Sequence, residues 1–347
     1  MKKRSKIIVS QKGVVLLMVL WAIVVLTALM FTFSFMTRTD AMSTFSYREA
    51  ITRDYLAEAG ISRAVMEIIF FNQMGEEPLT DYDTLWKPDG AVYEGEIPTG
   101  KYQVRISDEY GKININSGQS DKLLRTLLMN FEVEEEQIET IIDSIKDWRD
   151  PDDLHRINGA ESEYYETLTP PYKAKNANFD TIEELMWVKG VTTELFYGTE
   201  STKGLMNYIT IYGEEEGRIR LFTASREVLL TIPSMTEAMA DDIIEQRSQG
   251  LEFTTDDLSD ESGERYANED NDLSEGVFTI EAVGTTSNKP PDYGVKAIVR
   301  LSDEEYRYIN WRFRTPVSVK AALAEAEKAD DIENKDEDEN EAEKDSL

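Results

Sequence analysis

The chain has 347 residues, enough for about two domains, and its 41% hydrophobic and 30% charged residues are the proportions of a folded protein. A formal net charge of -31 repels phosphate backbones and makes nucleic acid a poor partner. There is no cysteine, which excludes disulfides, thiol nucleophiles and Cys-ligated zinc.

The first element is a basic leader, with Lys2, Lys3, Arg4, Lys6 and Lys12, ending at Gly13. Val14 to Thr37 then carries no charge. That run exceeds the roughly 20 residues a helix needs to span a bilayer. It is too long for the core of a cleaved secretory signal, and no small-residue cleavage site follows it. The basic flank predicts a cytoplasmic N-terminus with the rest translocated. Beyond Arg38 the pattern stays helical to Asn72 without proline. Tyr47, Ile51, Tyr55, Leu56, Ala59, Val65, Ile68 and Ile69 recur at roughly helical spacing. One helix of about 55 residues is expected, starting in the membrane and emerging as an amphipathic arm. A plain single-pass anchor followed by a separate helix is the other arrangement this pattern allows.

Two turn-rich stretches, Pro88-Asp89-Gly90 and Pro98-Thr99-Gly100, precede an alternating strand over Gly100–Ser107. A helical block follows. Leu123, Leu124, Leu127 and Leu128 form one apolar face, and Ile138, Ile141, Ile142 and Ile145 another. Thr181 and Glu184 are spaced as a capping box opening a helix to Trp187. Ala224–Leu230 and Met235–Arg247 make a last helical pair. The period then returns to two in Val277–Gly284, Gly294–Leu301 and Tyr306–Arg314, three expected antiparallel strands. In the last, Ile309, Trp311 and Phe313 are expected on one face and Tyr308, Asn310 and Arg312 on the other. From Lys320 the chain is rich in Ala, Glu, Lys and Asp, with twelve acids against three lysines between Ala321 and Leu347. That composition predicts a tail that is largely disordered beyond a short helical stretch at Ala321–Ala326.

The expected fold class is α+β. A long N-terminal helix packs on an antiparallel sheet, with a large all-α domain inserted between strands. The expected boundaries are 1–13 leader, 14–37 membrane part of the helix, 38–109 helical arm and first strands, 110–275 helical insert, 276–315 closing strands and 316–347 acidic tail. Tandem separate domains are the alternative.

The leader, the glycine and the apolar helix together resemble the type IV pilin family. The resemblance implies cleavage between Gly13 and Val14 by a prepilin peptidase, and methylation of the new amine on Val14. Major pilins carry Glu at the fifth mature position, where this chain has Met18. That departure suits a subunit with no neighbour above it, and makes Met18 a marker of the terminal position. With DEYGKININ (108–116), DSIKDWRDPDDLHRINGAESEYY (143–165), NANFDTIEELMWVKGVTTELF (176–196) and TASREVLLTIPSMTEAMADDIIEQR (223–247), the chain resembles the type II secretion minor pseudopilin K family from the leader to about Arg314. This resemblance implies a pilin-like fold and a place at the tip of a periplasmic pseudopilus, whose assembly the subunit helps initiate. It also implies an inner-membrane anchor in contact with lipid, and partnership with other minor pseudopilins and the major pseudopilin. A minor or priming pilin of a type IV pilus and a membrane-anchored calcium-binding module are the alternatives.

The stretch holding Asp147, Asp150, Asp152, Asp153, Glu161 and Glu163 is the best place for chemistry. Hard cations take six to eight oxygen ligands, and several acids around Pro151 and Asn158-Gly159 can converge on one ion. The spacing is not that of an EF-hand, and a solvated acidic loop is the bland reading. The pseudopilin K resemblance implies calcium in the helical domain, and Asp150, Asp152, Glu161 and Glu163 are the expected ligands. Trp148, Tyr164 and Tyr165 are expected to pack, and the lone histidine, His155, to be a solvated loop residue. The acidic segment Asp256–Asp272 is a second possible site. Trp187–Val191 and Leu230–Met235 have the form of helix-hairpin-helix turns, but the second has Ser234 where glycine is expected, so packing outranks DNA binding for both. There is no Walker loop, G-x-S-x-G or H-E-x-x-H motif. The reading is an assembly protein, not an enzyme.

Overall fold

The computed structural model describes residues 12–74, 86–199, 202–213, 216–249, 251, 258, 265–268, 272–286, 293–302 and 305–317. The leader up to Gln11, most of Asp256–Asp272 and the acidic stretch from Ser318 lie outside the described residues. Helix α1 spans Lys12–Met74, a single element of 63 residues and about 95 Å at 1.5 Å per residue. Strands β1 (Asp89–Ile97) and β2 (Gly100–Asp108) follow as a hairpin. The middle of the chain holds β3 (Ile113–Asn114), α2 (Ser120–Asn130), α3 (Glu135–Arg149), α4 (Ser162–Tyr165), α5 (Thr193–Tyr197), β4 (Ile209–Thr210), β5 (Ile219–Arg220), α6 (Arg226–Leu229), α7 (Glu237–Ser248) and β6 (Ala267–Asn268). Strands β7 (Glu275–Thr285), β8 (Gly294–Ser302) and β9 (Glu305–Thr315) return to the sheet. The five long strands are antiparallel in the order β1-β2-β7-β8-β9. Everything between β2 and β7 therefore leaves the sheet and comes back beside the strand it left.

Two apolar cores result. Leu56, Ala57, Ile61, Ala64, Val65 and Ile68 line one stripe of α1 and bury against Tyr102, Val104 and Ile106 of β2, and Ile280, Ala282, Val295 and Ala297 of β7 and β8. Gly60 lets the helix approach closely: a Cβ there would lie 2.7 Å from a Val104 methyl carbon. The second core gathers the α2 leucines, the α3 isoleucines, Trp148, Tyr165, Phe179, Phe196 and Ile243. The capping pair is present, with the Thr181 N–H donating to Glu184 Oε1 at 3.1 Å. The helix it opens, Ile182–Trp187, is a 3-10 helix.

The two parts are joined by the DEYGK segment at the end of β2. Asp108 is buried, and its Oδ2 accepts from Arg220 Nη1 and Thr223 Oγ1, both at 2.8 Å. Arg220 also donates to the Glu275 carbonyl at 2.8 Å and lies over the Tyr110 ring. Burial alone would raise the Glu109 carboxyl. Lys112 at 2.6 Å and hydrogen bonds from Thr210 and Thr279 outweigh it and hold Glu109 below the ordinary carboxylate range.

Three sequence expectations are corrected here. β1 was not anticipated, because it is edge-exposed, carries acids and is interrupted by Gly90 and Gly95 in place of clean alternation. Tyr47 and Tyr55 do not join the buried stripe of α1 and are 66% exposed. The sheet reaches only as far along α1 as Arg53 and Leu56, the residues that meet Gly284. In β9 the two-residue period breaks, since Ile298 pairs with Asn310 but Val299 with Tyr308, leaving Ile309 as an extra residue. The bulge carries Tyr308 and Tyr306 onto the face of Trp311 and Phe313, where the four rings form a chain of edge and tilted contacts 4.9–5.9 Å apart.

Candidate functional site

Helix α3 delivers the acidic loop. Its last turn places Asp147, with a fully buried side chain, beneath the stretch that returns from Pro151 to Ala160. Asp147 is not a free ligand. It accepts from the Arg156 backbone N–H at 3.0 Å and from its guanidinium at 2.5 Å, and the same guanidinium reaches Asp150 Oδ2 at 2.5 Å. Asp143 accepts from the Asn158 backbone N–H at 3.1 Å. Gly159 allows this close return, because a Cβ there would sit 1.9 Å from Asp147 Oδ2. Lys189, from the Trp187–Val191 turn, closes the loop by donating to the carbonyls of Asn158 and Gly159 at 3.2 and 3.1 Å.

Within this frame Asp150, Asp152 and Glu161 each bring a carboxylate oxygen within 4.8 Å of the other two. Glu161 is 3% exposed, yet neither of its oxygens has a hydrogen-bond partner, and Asp150 Oδ1 is likewise buried without one. Burial, followed by the charges of Asp147, Asp150, Asp153 and Asp152, pushes the Glu161 carboxyl up to about 7. Buried unpaired carboxylate oxygens are costly. An all-oxygen donor set of this kind fits a hard divalent cation.

Three of the four expected ligands therefore come together. The fourth, Glu163, does not. It is exposed in the first turn of α4, two residues beyond Glu161. Successive helical side chains turn by about 100°, so two positions this close at a helix start point to different sides. The sequence reading missed Asn176. Its Nδ2 donates to the Asp152 carbonyl and to Asp153 Oδ1, both at 3.2 Å, while its Oδ1 is buried without a partner. The signal was its place in the NANF motif and the left-handed backbone (φ 51°) that asparagine tolerates. Trp148 and Tyr165 pack, edge to face at 5.3 Å, while Tyr164 is 38% exposed beside Lys189. His155 is exposed. Ser234 has φ 67° in the second hairpin-like turn, the conformation for which glycine was expected.

At the other end of the molecule α1 is long and apolar enough to cross a membrane, and its apolar window has no burial within the chain. Thr27, Thr32 and Thr37 return their hydroxyls to the carbonyls of Ile23, Ala28 and Phe33 at 2.7–2.9 Å. In hydrocarbon this satisfies the only side-chain donors of Val14–Thr37 apart from Trp21 and Ser34. Gly13 lies in the first turn of α1, and Val14 and Met18 are exposed, at 52% and 66%.

An apolar half-helix, exposed within its own chain, that continues without a break onto an antiparallel sheet is a pilin-like fold. Residues 111–212 match the family model described as type II secretion system (T2SS), protein K. Over this stretch the chain is similar to protein K of type II secretion systems. Type II secretion system protein K of Aeromonas hydrophila is 33% identical over 155 residues, which are 38% of this chain and 46% of that protein. The chain thus spans about half the length of this relative. The putative type II secretion system protein K of Escherichia coli K12 is 23% identical over 262 residues, 71% of this chain and 78% of that one. A chain from the crystal structure of the GspK-GspI-GspJ complex of the enterotoxigenic Escherichia coli type 2 secretion system shares the fold, with a TM-score of 0.54 and 14% identity. The likeness covers 79% of this chain and 99% of that one.

Proposed function

We propose that this protein is a minor pseudopilin of a type II secretion system that caps the tip of a periplasmic pseudopilus and helps initiate its assembly. The observation that carries the reading is the division of α1. The stripe Leu56, Ala57, Ile61, Ala64, Val65 and Ile68 is sealed against the sheet, while the apolar residues from Val14 to Phe45 are exposed within their own chain. Such a surface needs either lipid or the equivalent helices of other subunits. The N-terminus would stay in the cytoplasm, the helix would rest in the inner membrane, and the sheet and helical insert would lie in the periplasm. A prepilin peptidase would cut after Gly13. Other minor pseudopilins and the major pseudopilin would bundle with α1, and the bulky helical part would block addition of a further subunit above it. Met18 supports the terminal position, because a carboxylate at that depth is costly unless paired, and this chain offers none to pair with the terminal amine of a following subunit.

Calcium is the proposed cofactor. Asp150, Asp152 and Glu161 would hold it, with Asn176 Oδ1 in reach of the same loop, and the ion would order the acidic turn without taking part in a reaction. The role is assembly and not catalysis. N-terminal mass spectrometry of the mature protein tests the processing: a chain beginning at methylated Val14 is expected, and a chain beginning at Met1 would sink the reading. Met18→Glu is expected to leave the fold intact and to spread the subunit along the pseudopilus shaft. An unchanged tip location would count against the role given to Met18.

A further inference from the structure

The face of the sheet turned away from α1 carries a row of four side chains that the α1 core does not use. Ser107 of β2 stands opposite Thr279 of β7, Thr279 opposite Ile298 of β8, and Ile298 opposite Asn310 of β9. Cross-strand partners share a face of the sheet, and this row faces the helical part across a cavity of about 170 Å³. The apolar wall of the cavity is Ile182, Met206, Ile211 and Ile298, each half-buried. Ile182, Met206 and Ile211 also pack on the helical core, so the wall is held from behind.

The charged groups around the cavity are already committed. Lys296 pairs with Glu281 at 3.3 Å, and Arg105 donates to the Gly90 carbonyl at 2.8 Å. The buried Glu109 accepts from Lys112 and from Thr210, both at 2.6 Å. Arg312 reaches across to Glu183 at 3.8 Å with both side chains half exposed. A pair this exposed holds weakly and does not bar entry. Ser107 and Asn310 differ from these groups, because neither side chain makes a hydrogen bond among the described residues. A hydroxyl and a carboxamide together offer donors and acceptors without charge. A charged guest would have to break an existing pair, whereas a neutral amide would not. A cavity of about 150 Å³ takes one benzene ring, so this one seats a single large side chain. The rest of the guest then lies outside, along the rim between β9 and the Ile182–Trp187 helix. A peptide that continues on both sides of its anchor residue meets that requirement.

We propose that this cavity is a peptide-recognition pocket: it takes one large uncharged side chain, aromatic or branched aliphatic, from a segment of a partner protein, and Ser107 and Asn310 hold the backbone amide beside that side chain. The pocket is separate from the apolar half of α1 and from the acidic loop. Its guest touches the sheet and the helical part at once, so binding fastens the two parts together beyond the joint made by Asp108 and Arg220.

The absence of cysteine makes disulfide capture a clean test. Asp180→Cys places a thiol at the edge of the cavity on an exposed residue. Met129→Cys, on the exposed side of α2, is the control. The full chain in detergent is equilibrated with N-acetyl amino acids joined through their carboxyl groups to cysteamine, against a competing thiol, and bound probe is read by intact-protein mass spectrometry. The phenylalanine and leucine probes are expected to be captured at least about tenfold more firmly than the glycine, glutamate and lysine probes, the least that burying such a side chain is worth. Met129→Cys is expected to show no preference. A pentapeptide with phenylalanine between glycines, carrying the same thiol, is expected to be held more firmly than the single capped residue. Asn310→Ala should lower capture of the phenylalanine probe by about fivefold. Ile298→Phe fills the cavity and should abolish the preference, with an unchanged melting temperature showing that the sheet is intact. Ser107→Val is the milder filling should that variant unfold. Equal capture of the phenylalanine and glycine probes, a preference for a charged probe, the same preference at Met129→Cys, or a preference that survives both fillings would each overturn the proposal. A pentapeptide held no better than the single residue would overturn its assignment to a peptide chain.

Discussion

Glu161 offers the sharpest test of the metal reading. Its carboxyl is raised from the ordinary 4.5 to about 7, chiefly by burial and then by neighbouring aspartates. At 1.36 kcal/mol per pKa unit, keeping it ionised without a cation costs about 3 kcal/mol. A raised folded-state pKa means that this group's contribution is most favourable below about 4.5 and is lost as pH rises through about 7. In chelator, the wild-type protein is therefore expected to lose stability relative to Glu161→Gln between pH 5 and pH 7.5. Calcium reverses the sign, because it binds the ionised form. At pH 7.5 and 100 times its Kd, calcium is expected to stabilise by about 2.7 kcal/mol. For a folded unit of this size that is a rise of about 5–11 °C in Tm. At pH 5, two units below the carboxyl's pKa, protons compete about 100-fold. The same calcium concentration then gives about 0.4 kcal/mol, or roughly 1–2 °C. Thermal unfolding of the full chain in detergent, with calcium or chelator at the two pH values, reads all of this. Glu163→Gln should behave as wild type. A calcium shift equal at both pH values, or retained in full by Glu161→Gln, would refute the assignment.

Other substitutions probe the frame around these sites. Arg220→Met leaves Asp108 buried with its guanidinium partner gone, and is expected to cost about 3–5 kcal/mol. Asp108→Asn added to it should recover part of the loss, as read by thermal melts of the single and double variants. Gly159→Ala puts a methyl into the Asp147 carboxylate and should cost about 1–3 kcal/mol. It should also weaken calcium binding, measured by calorimetry, because the loop can no longer close on Asp147. Gly60→Val forces α1 away from Val104 and Tyr102, with a similar expected loss of stability. Protease cleavage near residues 50–60 should then speed up.

Much of the architecture could be read from residue patterns because the relevant signals are local. The charge-free run from Val14 to Thr37 and the helical pattern beyond it announce one long helix, and the alternation in Gly100–Ser107, Val277–Gly284 and Gly294–Leu301 announces strands. Each depends only on neighbours two to four positions away. β1 was hidden because a hairpin edge strand needs no buried alternation. The face of Tyr308 was misread because a bulge at Ile309 inserts one residue into the period, and nothing in the local pattern marks it. At the acidic loop the composition pointed to the stretch Asp147–Glu163 but could not sort its acids. Asp147 looks like its neighbours in sequence, yet Arg156 claims it. Glu161 looks like Glu163, yet only one turns inward.

By itself the amino-acid sequence determined that this is a cysteine-free, strongly acidic chain with an apolar helix of bilayer length, a strand-forming pair of regions and a helical block between them. Those are properties of composition and short-range periodicity. Tertiary structure alone decided that Arg156 pairs with Asp147 and Asp150, and that Glu161 is buried beside them with neither oxygen hydrogen-bonded. It alone decided how Asp108 and Arg220 lock the helical part to the sheet. These are contacts between residues brought together from different elements, and the energy of a charge depends on what surrounds it in space, which no count of residue types along the chain contains.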